Sequence, residues 1–380
     1  MLHCSNQLAF RAFNPNGSLQ DGKMTMHLPL HSLSGFPPAN TRIQAFVDFG
    51  ANPGKLKAWA YLPDVGDGER LPLVVALHGC TQNAPGYDEG SGWSELAERF
   101  GFAVLLPEQV RSNNANMCFN WFDPAHTRRG AGEAASIAGM IAALIERHGI
   151  DPARVFVTGL SAGGAMTSAM LAAYPDMFAG GAILAGLPHG AAASVGEAFE
   201  QMRAARPNAR SDGRSIRKAS GHSGAWPRVS VWHGTADSVV SPSNADALVR
   251  QWQDIHGLPD TPAEEGLVDG YPHRVWRDAA GNALLEEYRI TGMGHGAPLA
   301  TTGECGCGNA GAFMLEAGIS STVHSARAWG LLDHARAAAP RAAAAPARSP
   351  APANASVHGH PRGGVGDVIE KALRAAGLMK

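Results

Sequence analysis

The alternation of apolar strand segments with helical segments constrains the fold of this sequence more than any other feature. The segment LPLVVALHG (71–79) is a nearly continuous apolar run, typical of a strand buried on both faces of a parallel sheet. Further strands are predicted at 58–63, 102–108, 155–160, 180–186, 228–234 and 284–291, with helices at 94–101, 134–148, 162–173 and 243–256. Helical segments of this length between strands imply right-handed crossovers. The sequence therefore predicts an α/β fold with a mostly parallel sheet and helices on both faces.

Four parts of the chain differ in pattern. The strand and helix alternation predicts one α/β domain at 43–333, preceded by an N-terminal extension at 1–42. Alanine and proline dominate 334–362, where proline interrupts helix formation, so this part is predicted to be a linker. The last part, 363–380, has apolar residues at helical spacing and predicts a short amphipathic helix. Two docking modes are open for this predicted helix: on its own domain, or on a partner or an apolar particle.

The charge balance excludes one large class of partners. The chain has 31 Lys+Arg against 33 Asp+Glu, a formal net charge of -2. Nucleic-acid binders usually carry a basic patch and a raised isoelectric point, so nucleic acid is not expected as a partner. The 5 cysteines are few and odd in number, which excludes a disulfide scaffold.

The N-terminal residues suggest a cellular location. The first thirty residues lack a basic start followed by an apolar run, so no secretory signal peptide is recognised. This favours a cytoplasmic protein, while a mis-assigned start would leave an extracellular location open. The longest uncharged stretch, between Arg154 and Asp176, is broken by glycines, so no transmembrane segment is expected.

A G-x-S-x-G motif marks the predicted nucleophile. It runs from Gly159 to Gly163, follows the strand at 155–160 directly and opens a helix. This context defines a nucleophile elbow, in which small neighbours let the chain turn sharply and expose the serine hydroxyl. A phosphate-binding turn would need a G-x-G-x-x-G or P-loop lysine, and neither accompanies it. Ser161 is therefore the predicted nucleophile.

A serine hydroxyl needs a base to take its proton and an acid to orient that base. In α/β-hydrolases the order along the chain is Ser, Asp or Glu, then His, each in a loop after a strand. Asp237 in HGTAD follows the strand at 228–234, and His295 in GMGHG follows the last predicted strand. The sequence therefore predicts Asp237 and His295 as the other members of a catalytic triad.

Two backbone amides are expected to bind the oxyanion of the tetrahedral intermediate. One belongs to Ala162, the residue after the nucleophile, and the other to Cys80 in the loop after the strand at 71–79. The Cys80 side chain is either a small hydrophobe or a disulfide partner of Cys118, and the residues alone leave this open. Cys305 and Cys307 lack nearby Cys or His residues for a zinc site, so neither a metal nor a cofactor is predicted.

Several segments together resemble one family of α/β-hydrolases, the polyhydroxybutyrate depolymerases with a type 1 catalytic domain and their esterase relatives. The resemblance covers about 56–333 and rests on LHGCTQNAPGY (77–87), CFNWFDP (118–124), GLSAGGAMT (159–167), HGTAD, GMGHG and SSTVHSARAWGLL (320–332). It implies an α/β-hydrolase fold, an oxyanion amide from Cys80 and a Cys80–Cys118 bridge. It also implies that Trp121 lies near the substrate cleft, although core packing is the other explanation for a single aromatic residue.

The resemblance implies a serine esterase that hydrolyses poly(3-hydroxybutyrate) or related short-chain polyhydroxyalkanoates through an acyl-enzyme. The expected partner is a polyester granule or another ester substrate, and no oligomeric state is predicted. No separate granule-binding domain is recognised, which resembles the intracellular members that act on amorphous granules. Two alternatives remain: a feruloyl or acetylxylan-type carboxylesterase, and a non-catalytic granule-binding protein.

Overall fold

A ten-stranded sheet runs through the part of the chain that the structure, a computed structural model, describes: residues 42–64, 70–205 and 213–333. Its strands are β1 (Gln44–Ala45), β2 (Lys57–Tyr61), β3 (Leu71–Leu77), β4 (Ala103–Glu108), β5 (Ile150–Leu160), β6 (Gly180–Leu184), β7 (Arg228–Gly234), β8 (Glu264–Val268), β9 (Tyr271–Arg277) and β10 (Ala283–Ile290). The helices are α1 (Ala84–Ser91), α2 (Trp93–Phe100), α3 (Pro124–Thr127), α4 (Gly132–Arg147), α5 (Ala162–Ala173), α6 (Val195–Arg203), α7 (Arg214–Ser220), α8 (Ser243–His256) and α9 (Ser321–Ala328). A separate pair, β11 (Ala297–Leu299) and β12 (Met314–Glu316), follows β10.

The centre of the large sheet is parallel. In the order β1-β2-β4-β3-β5-β6-β7-β10-β9-β8, the six strands from β4 to β10 run parallel, and two antiparallel strands extend the sheet on each side. The predicted mostly parallel sheet is thereby confirmed. The β8–β9 hairpin was not among the predicted strands, although its turn residues Asp269 and Gly270, at φ 49° and 85°, form the Asp-Gly pair that favours tight hairpins.

Apolar side chains fill both faces of the sheet. Along β3, Leu73 and Val75 face one side and Val74 and Ala76 the other, as the two-residue period of a strand requires. Helices α4, α5 and α8 cover the first face, and α1, α2 and α9 cover the second. This confirms helices on both faces and explains why β3 is apolar at nearly every position.

Between β6 and β7 the chain forms two short helices that were not predicted. Residues 188–227 lack clear apolar periodicity, yet they contain α6 and α7. The hydroxyl of Ser194 caps α6 by accepting a hydrogen bond from the Glu197 amide at 3.3 Å. Ser and Glu three positions apart are a recognised start signal for a helix. The described parts of this excursion, 188–205 and 213–227, therefore contain more helix than their polar composition indicates.

Some predictions fall on residues outside the described part. Nearly all of the N-terminal extension, the linker and the C-terminal amphipathic helix lie at 1–41 and 334–380, so the proposed division into four parts stays a prediction. Among the residues that are described, no helix combines the length and apolar character needed to cross a membrane.

Strand register brings the loops that matter for function to one edge of the sheet. In the parallel ladders, the paired residues near the carboxyl ends are Leu77 with Gly159, Leu160 with Leu184, Leu184 with Trp232, and Gly234 with Ile290. The loops after β3, β5, β6, β7 and β10 therefore leave the sheet side by side. This is the edge at which open α/β sheets bind their ligands.

Candidate active site

Ser161 lies on a sharp turn between β5 and α5. Its backbone has φ 58° and ψ -117°, a combination that costs about 1–3 kcal/mol for a residue with a side chain. The turn is held because the Ser161 amide donates to the Leu184 carbonyl at 2.9 Å and the Ser161 carbonyl accepts from Ala165 at 2.8 Å. The predicted nucleophile thus occupies a strained strand-to-helix turn of the kind that presents a hydroxyl group outward.

Two glycines of the motif allow this turn by close backbone packing. A Cβ atom on Gly163 would lie 2.2 Å from the Leu77 carbonyl oxygen, and one on Gly159 would lie 2.5 Å from the Gly163 backbone. No side chain fits at such distances, so glycine is required at both positions. As a result, the first turn of α5 rests directly against the end of β3.

The loops after β7 and β10 bring an acid and a histidine together. Ala236 in the first loop donates a hydrogen bond to the Met293 carbonyl of the second at 3.0 Å. Asp237 and His295 follow in these loops, and the Oδ2 atom of Asp237 lies 2.7 Å from Nδ1 of His295. Both side chains are nearly fully buried. With Nδ1 bonded to the carboxylate, Nε2 is the ring nitrogen left for proton transfer.

The surroundings of Asp237 keep it ionised. Its Oδ1 atom accepts hydrogen bonds from the amides of Val239 and Val240, both at 2.9 Å. Burial alone would raise the pKa of this carboxyl, but hydrogen bonds from His233 and His295 outweigh burial and hold its pKa well below the ordinary value. The ion therefore stabilises the native state at neutral pH, and this contribution is lost only as the pH falls below the usual aspartate range.

A small second sheet supports His295. The ring of Phe313 meets the His295 ring edge-on, with the ring centroids 6.0 Å apart and the planes at 77°. The Phe313 carbonyl accepts a hydrogen bond from Ala297 at 2.8 Å, next to the β11–β12 pair. The histidine is therefore fixed by packing as well as by its carboxylate partner.

The loop after β3 lies against Ser161. A Cβ atom on Gly79 would be 3.6 Å from Cβ of Ser161, and the Gly79 amide is held by the Gln82 side-chain oxygen at 2.8 Å. Among the residues that are described, the next amide, of Cys80, donates to no protein acceptor. Ala162 is the first residue of α5, a position whose amide has no acceptor within the helix. Both predicted oxyanion donors are thus available.

A disulfide joins Cys80 to Cys118. The same two segments are also linked by a hydrogen bond from the Thr81 amide to the Asn116 carbonyl at 2.7 Å. The residues alone left open whether Cys80 is a bonded or an inert side chain, and the structure places it in a bridge. The bridge fastens the loop after β3 to the segment that carries Trp121.

A buried network of polar groups contacts both the loop after β3 and the segment that carries Trp121. Nε2 of His78 accepts from the Gln109 amide at 3.1 Å, so its Nδ1 carries the proton donated to the Gly79 carbonyl. The Gln109 side chain donates to the Glu133 carboxylate at 2.6 Å, and that carboxylate also accepts from the Asn120 amide at 2.8 Å. Burial raises the pKa of Glu133 and lowers that of His78.

This network was not predicted from the sequence. Gln82 lies in the LHGCTQ segment, and Glu133 lies in the first turn of α4, where mostly apolar residues follow it. A glutamate directly before a run of core positions is the sequence signal for a buried carboxylate. The side chains that the network joins lie far apart in the chain, so their pairing depends on the tertiary fold.

Trp121 lies half-buried above the carboxyl edge of the sheet. Its ring meets Phe122 edge-on at 5.8 Å, and it packs against a small apolar cluster of Ala165, Leu187 and Val240. Ala165 is one turn along α5 from Ser161, and Val240 lies three residues after Asp237. Trp121 is therefore in the vicinity of the site and not in either main core cluster.

The predicted site residues gather at one edge of the sheet. Asp237 and His295 share a hydrogen bond, and the Gly79–Cys80 loop lies against Ser161. This arrangement suits nucleophilic attack on a carbonyl group, with proton transfer through the histidine and two amides for the developing negative charge. In the described part of the chain, no group of three or more His, Cys, Asp or Glu side chains is arranged to hold a metal ion.

Comparisons with known proteins point to ester hydrolysis. Residues 56–266 match the model of the family described as "Esterase PHB depolymerase". The chain is 44% identical over 288 residues to poly(3-hydroxyalkanoate) depolymerase C of Paucimonas lemoignei, covering 75% of this chain and 69% of that protein. It is 31% identical over 265 residues to feruloyl esterase B of Neurospora crassa, covering 67% of this chain and 88% of the other.

The fold also matches a solved structure. The acetyl xylan esterase from Aspergillus awamori superposes with a TM-score of 0.60 at 30% sequence identity, over 67% of this chain and 93% of that one.

Proposed function

This chain belongs to the esterase PHB depolymerase family, and from that membership and the geometry of its site we propose that it hydrolyses poly(3-hydroxybutyrate) or related short-chain polyhydroxyalkanoates. It is a carboxylic ester hydrolase with the α/β-hydrolase fold. The observation that carries the proposal is the pairing of a buried Asp237–His295 hydrogen bond with a strained serine at the same edge of the sheet.

In the proposed reaction, Ser161 attacks the ester carbonyl. His295 accepts the hydroxyl proton at Nε2, while its Nδ1–H stays bonded to Asp237, which stabilises the imidazolium that forms. The amides of Cys80 and Ala162 donate hydrogen bonds to the carbonyl oxygen as it becomes an oxyanion. The protonated His295 then gives its proton to the departing alkoxide, which leaves as the hydroxyl end of a shortened chain.

Water completes the cycle. His295 takes a proton from a water molecule, which attacks the acyl-enzyme, and the second tetrahedral intermediate uses the same two amides. The Ser161 oxygen is reprotonated as the acid product forms. Every proton moves through one imidazole, so the residues described here suffice for the reaction without a cofactor.

Trp121 supports an apolar subsite for the substrate. Its partly exposed ring rests on the buried side chains of Leu187 and Val240 and offers an apolar surface at the edge of the sheet where Ser161 lies. A hydroxyalkanoate unit carries a short alkyl side chain, and burial of such a group against an aromatic ring is favourable. We propose that this surface binds the alkyl side chain of a monomer unit next to the scissile ester.

We expect the purified protein to release soluble hydroxybutyrate products from amorphous poly(3-hydroxybutyrate) granules faster than it releases ferulate or acetate from substituted xylan. The apolar wall formed by Trp121 favours the polyester over a hydrated carbohydrate. The assay compares initial rates for both polymers at equal ester concentration. Faster release from xylan would support the alternative of a feruloyl or acetylxylan-type esterase. Binding to granules with no hydrolysis of any ester would support the non-catalytic alternative.

We expect Trp121→Ala to raise KM for a hydroxybutyrate oligomer about 10-fold. This corresponds to a loss of about 1.4 kcal/mol of binding free energy from apolar contact. Trp121→Phe keeps most of that contact and should stay within about threefold of the wild type. Trp226 is also half-buried but packs on the core face away from this cluster, so Trp226→Ala is the matched control. An unchanged KM in Trp121→Ala would place the subsite elsewhere.

A further inference from the structure

A second histidine touches Asp237, and the mechanism above gives it no role. His233 is the next-to-last residue of β7, and its side chain is fully buried. Its Nε2 atom lies 2.9 Å from the Val240 carbonyl oxygen and 3.4 Å from Oδ2 of Asp237. The two imidazoles of His233 and His295 therefore approach the same carboxylate oxygen.

The surroundings of His233 define where its ring proton lies. A backbone carbonyl only accepts hydrogen bonds, so Nε2 must carry the proton that is donated to Val240. The other nitrogen, Nδ1, is buried without a hydrogen-bond partner among the residues that the structure describes. The ring thus presents one N–H group, shared unequally between the Val240 carbonyl and the carboxylate of Asp237.

The backbone of Val240 contacts both Asp237 and His233. Its amide donates to Oδ1 of Asp237 at 2.9 Å, while its carbonyl accepts from His233. The 237–240 turn is therefore held by two sets of contacts. Its own amides donate to Oδ1 of Asp237, and His233 contacts the Val240 carbonyl and Oδ2 of Asp237. Rotation of the Asp237 side chain would break contacts at both oxygens.

We propose that His233 is a positioning residue that holds Asp237 in the rotamer needed to orient His295. This inference depends on the triad in the function proposed above. His233 acts through Asp237, and the contacts described here are all with Asp237 and Val240. Its contribution comes from geometry, because displacement of a catalytic group by about 1 Å is enough to reduce turnover by about 10²-fold.

A matched pair of substitutions tests this role. His233→Met fills similar space without an N–H group, whereas the side-chain amide of His233→Gln can donate to the Val240 carbonyl. With 4-nitrophenyl butyrate as a soluble ester, we expect kcat in His233→Met to fall about 10- to 100-fold and KM to stay within about twofold. His233→Gln should recover kcat to within about fivefold of the wild type.

A spectroscopic measurement separates positioning from general loss of structure. The low-field proton resonance of the His295–Asp237 hydrogen bond should be present in the wild type and in His233→Gln, and shifted or broadened in His233→Met. His256, at the end of α8, has an Nε2 atom without a hydrogen-bond partner among the described residues, and His256→Met should leave both kcat and the resonance unchanged. If His233→Met does not melt cooperatively, His233→Asn replaces it, because its shorter amide does not reach Val240.

Two outcomes overturn the inference: wild-type kcat in His233→Met, or equal losses of kcat in the Met and Gln variants. Failure of the proposed function would look different. In that case the wild-type protein itself would hydrolyse no ester and its Ser161 would not react with a fluorophosphonate. If the wild type is active and the His233 variants have the same kcat as the wild type, only the positioning role is refuted.

Discussion

Replacement of Ser161 by alanine is expected to lower kcat for ester hydrolysis by about 10⁵- to 10⁶-fold, because no other group can form the acyl-enzyme. The fold should persist, since alanine also carries a Cβ and the turn is held by backbone hydrogen bonds to Leu184 and Ala165. The measurement is the initial rate with 4-nitrophenyl butyrate, together with the melting temperature and labelling by a fluorophosphonate probe.

The chain offers a control on the same helix. Ser168 is buried in α5 and its hydroxyl has no partner within the described residues, so Ser168→Ala should keep both the rate and the labelling. Hydrolysis at the wild-type rate in Ser161→Ala would refute the assignment of the nucleophile. Loss of labelling in Ser168→Ala alone would do the same.

Asp237→Asn is expected to lower kcat about 10⁴-fold. The amides of Val239 and Val240 both donate to Oδ1, so the new side-chain oxygen must take that position. The new NH2 group then faces Nδ1 of His295, which has to become an acceptor. The histidine consequently carries its proton on Nε2 and cannot take one from Ser161.

The test of this substitution is kcat measured with the same soluble ester. Asp246 in α8 is the matched control: its exposed carboxylate pairs with Arg289, and such pairs contribute little. Asp246→Asn should stay within about twofold of wild-type kcat. A 10⁴-fold loss in Asp246→Asn with an active Asp237→Asn would mean that the acid of the triad has been misassigned.

The central strands were predictable because each is an apolar run that both faces of a sheet bury. The same reasoning placed Ser161, Asp237 and His295 at loops after particular strands, and strand register then brings those loops together. The edge hairpin escaped detection because β8 is exposed along nearly its whole length and shows no apolar pattern. Its only strong signal is the Asp-Gly turn.

The contacts around the site were harder to predict than the site itself. His233 reaches Asp237 because the 237–240 turn folds back beside the end of β7, which sequence spacing does not specify. Glu133 meets Asn120 through packing of α4 against a loop. The cytoplasmic location rests on the first thirty residues, which lie outside the described part, so it stays a prediction.

The strained turn at Ser161 sets activity against stability. A glycine at this position would adopt φ 58° without penalty, so the nucleophile itself carries a free-energy cost that the rest of the fold must offset. Backbone atoms around Gly159 and Gly163 leave no room for compensating side chains. Attempts to make this protein more thermostable should therefore leave the 159–163 turn unchanged. Exposed positions far from it, such as those of β8, are the better targets.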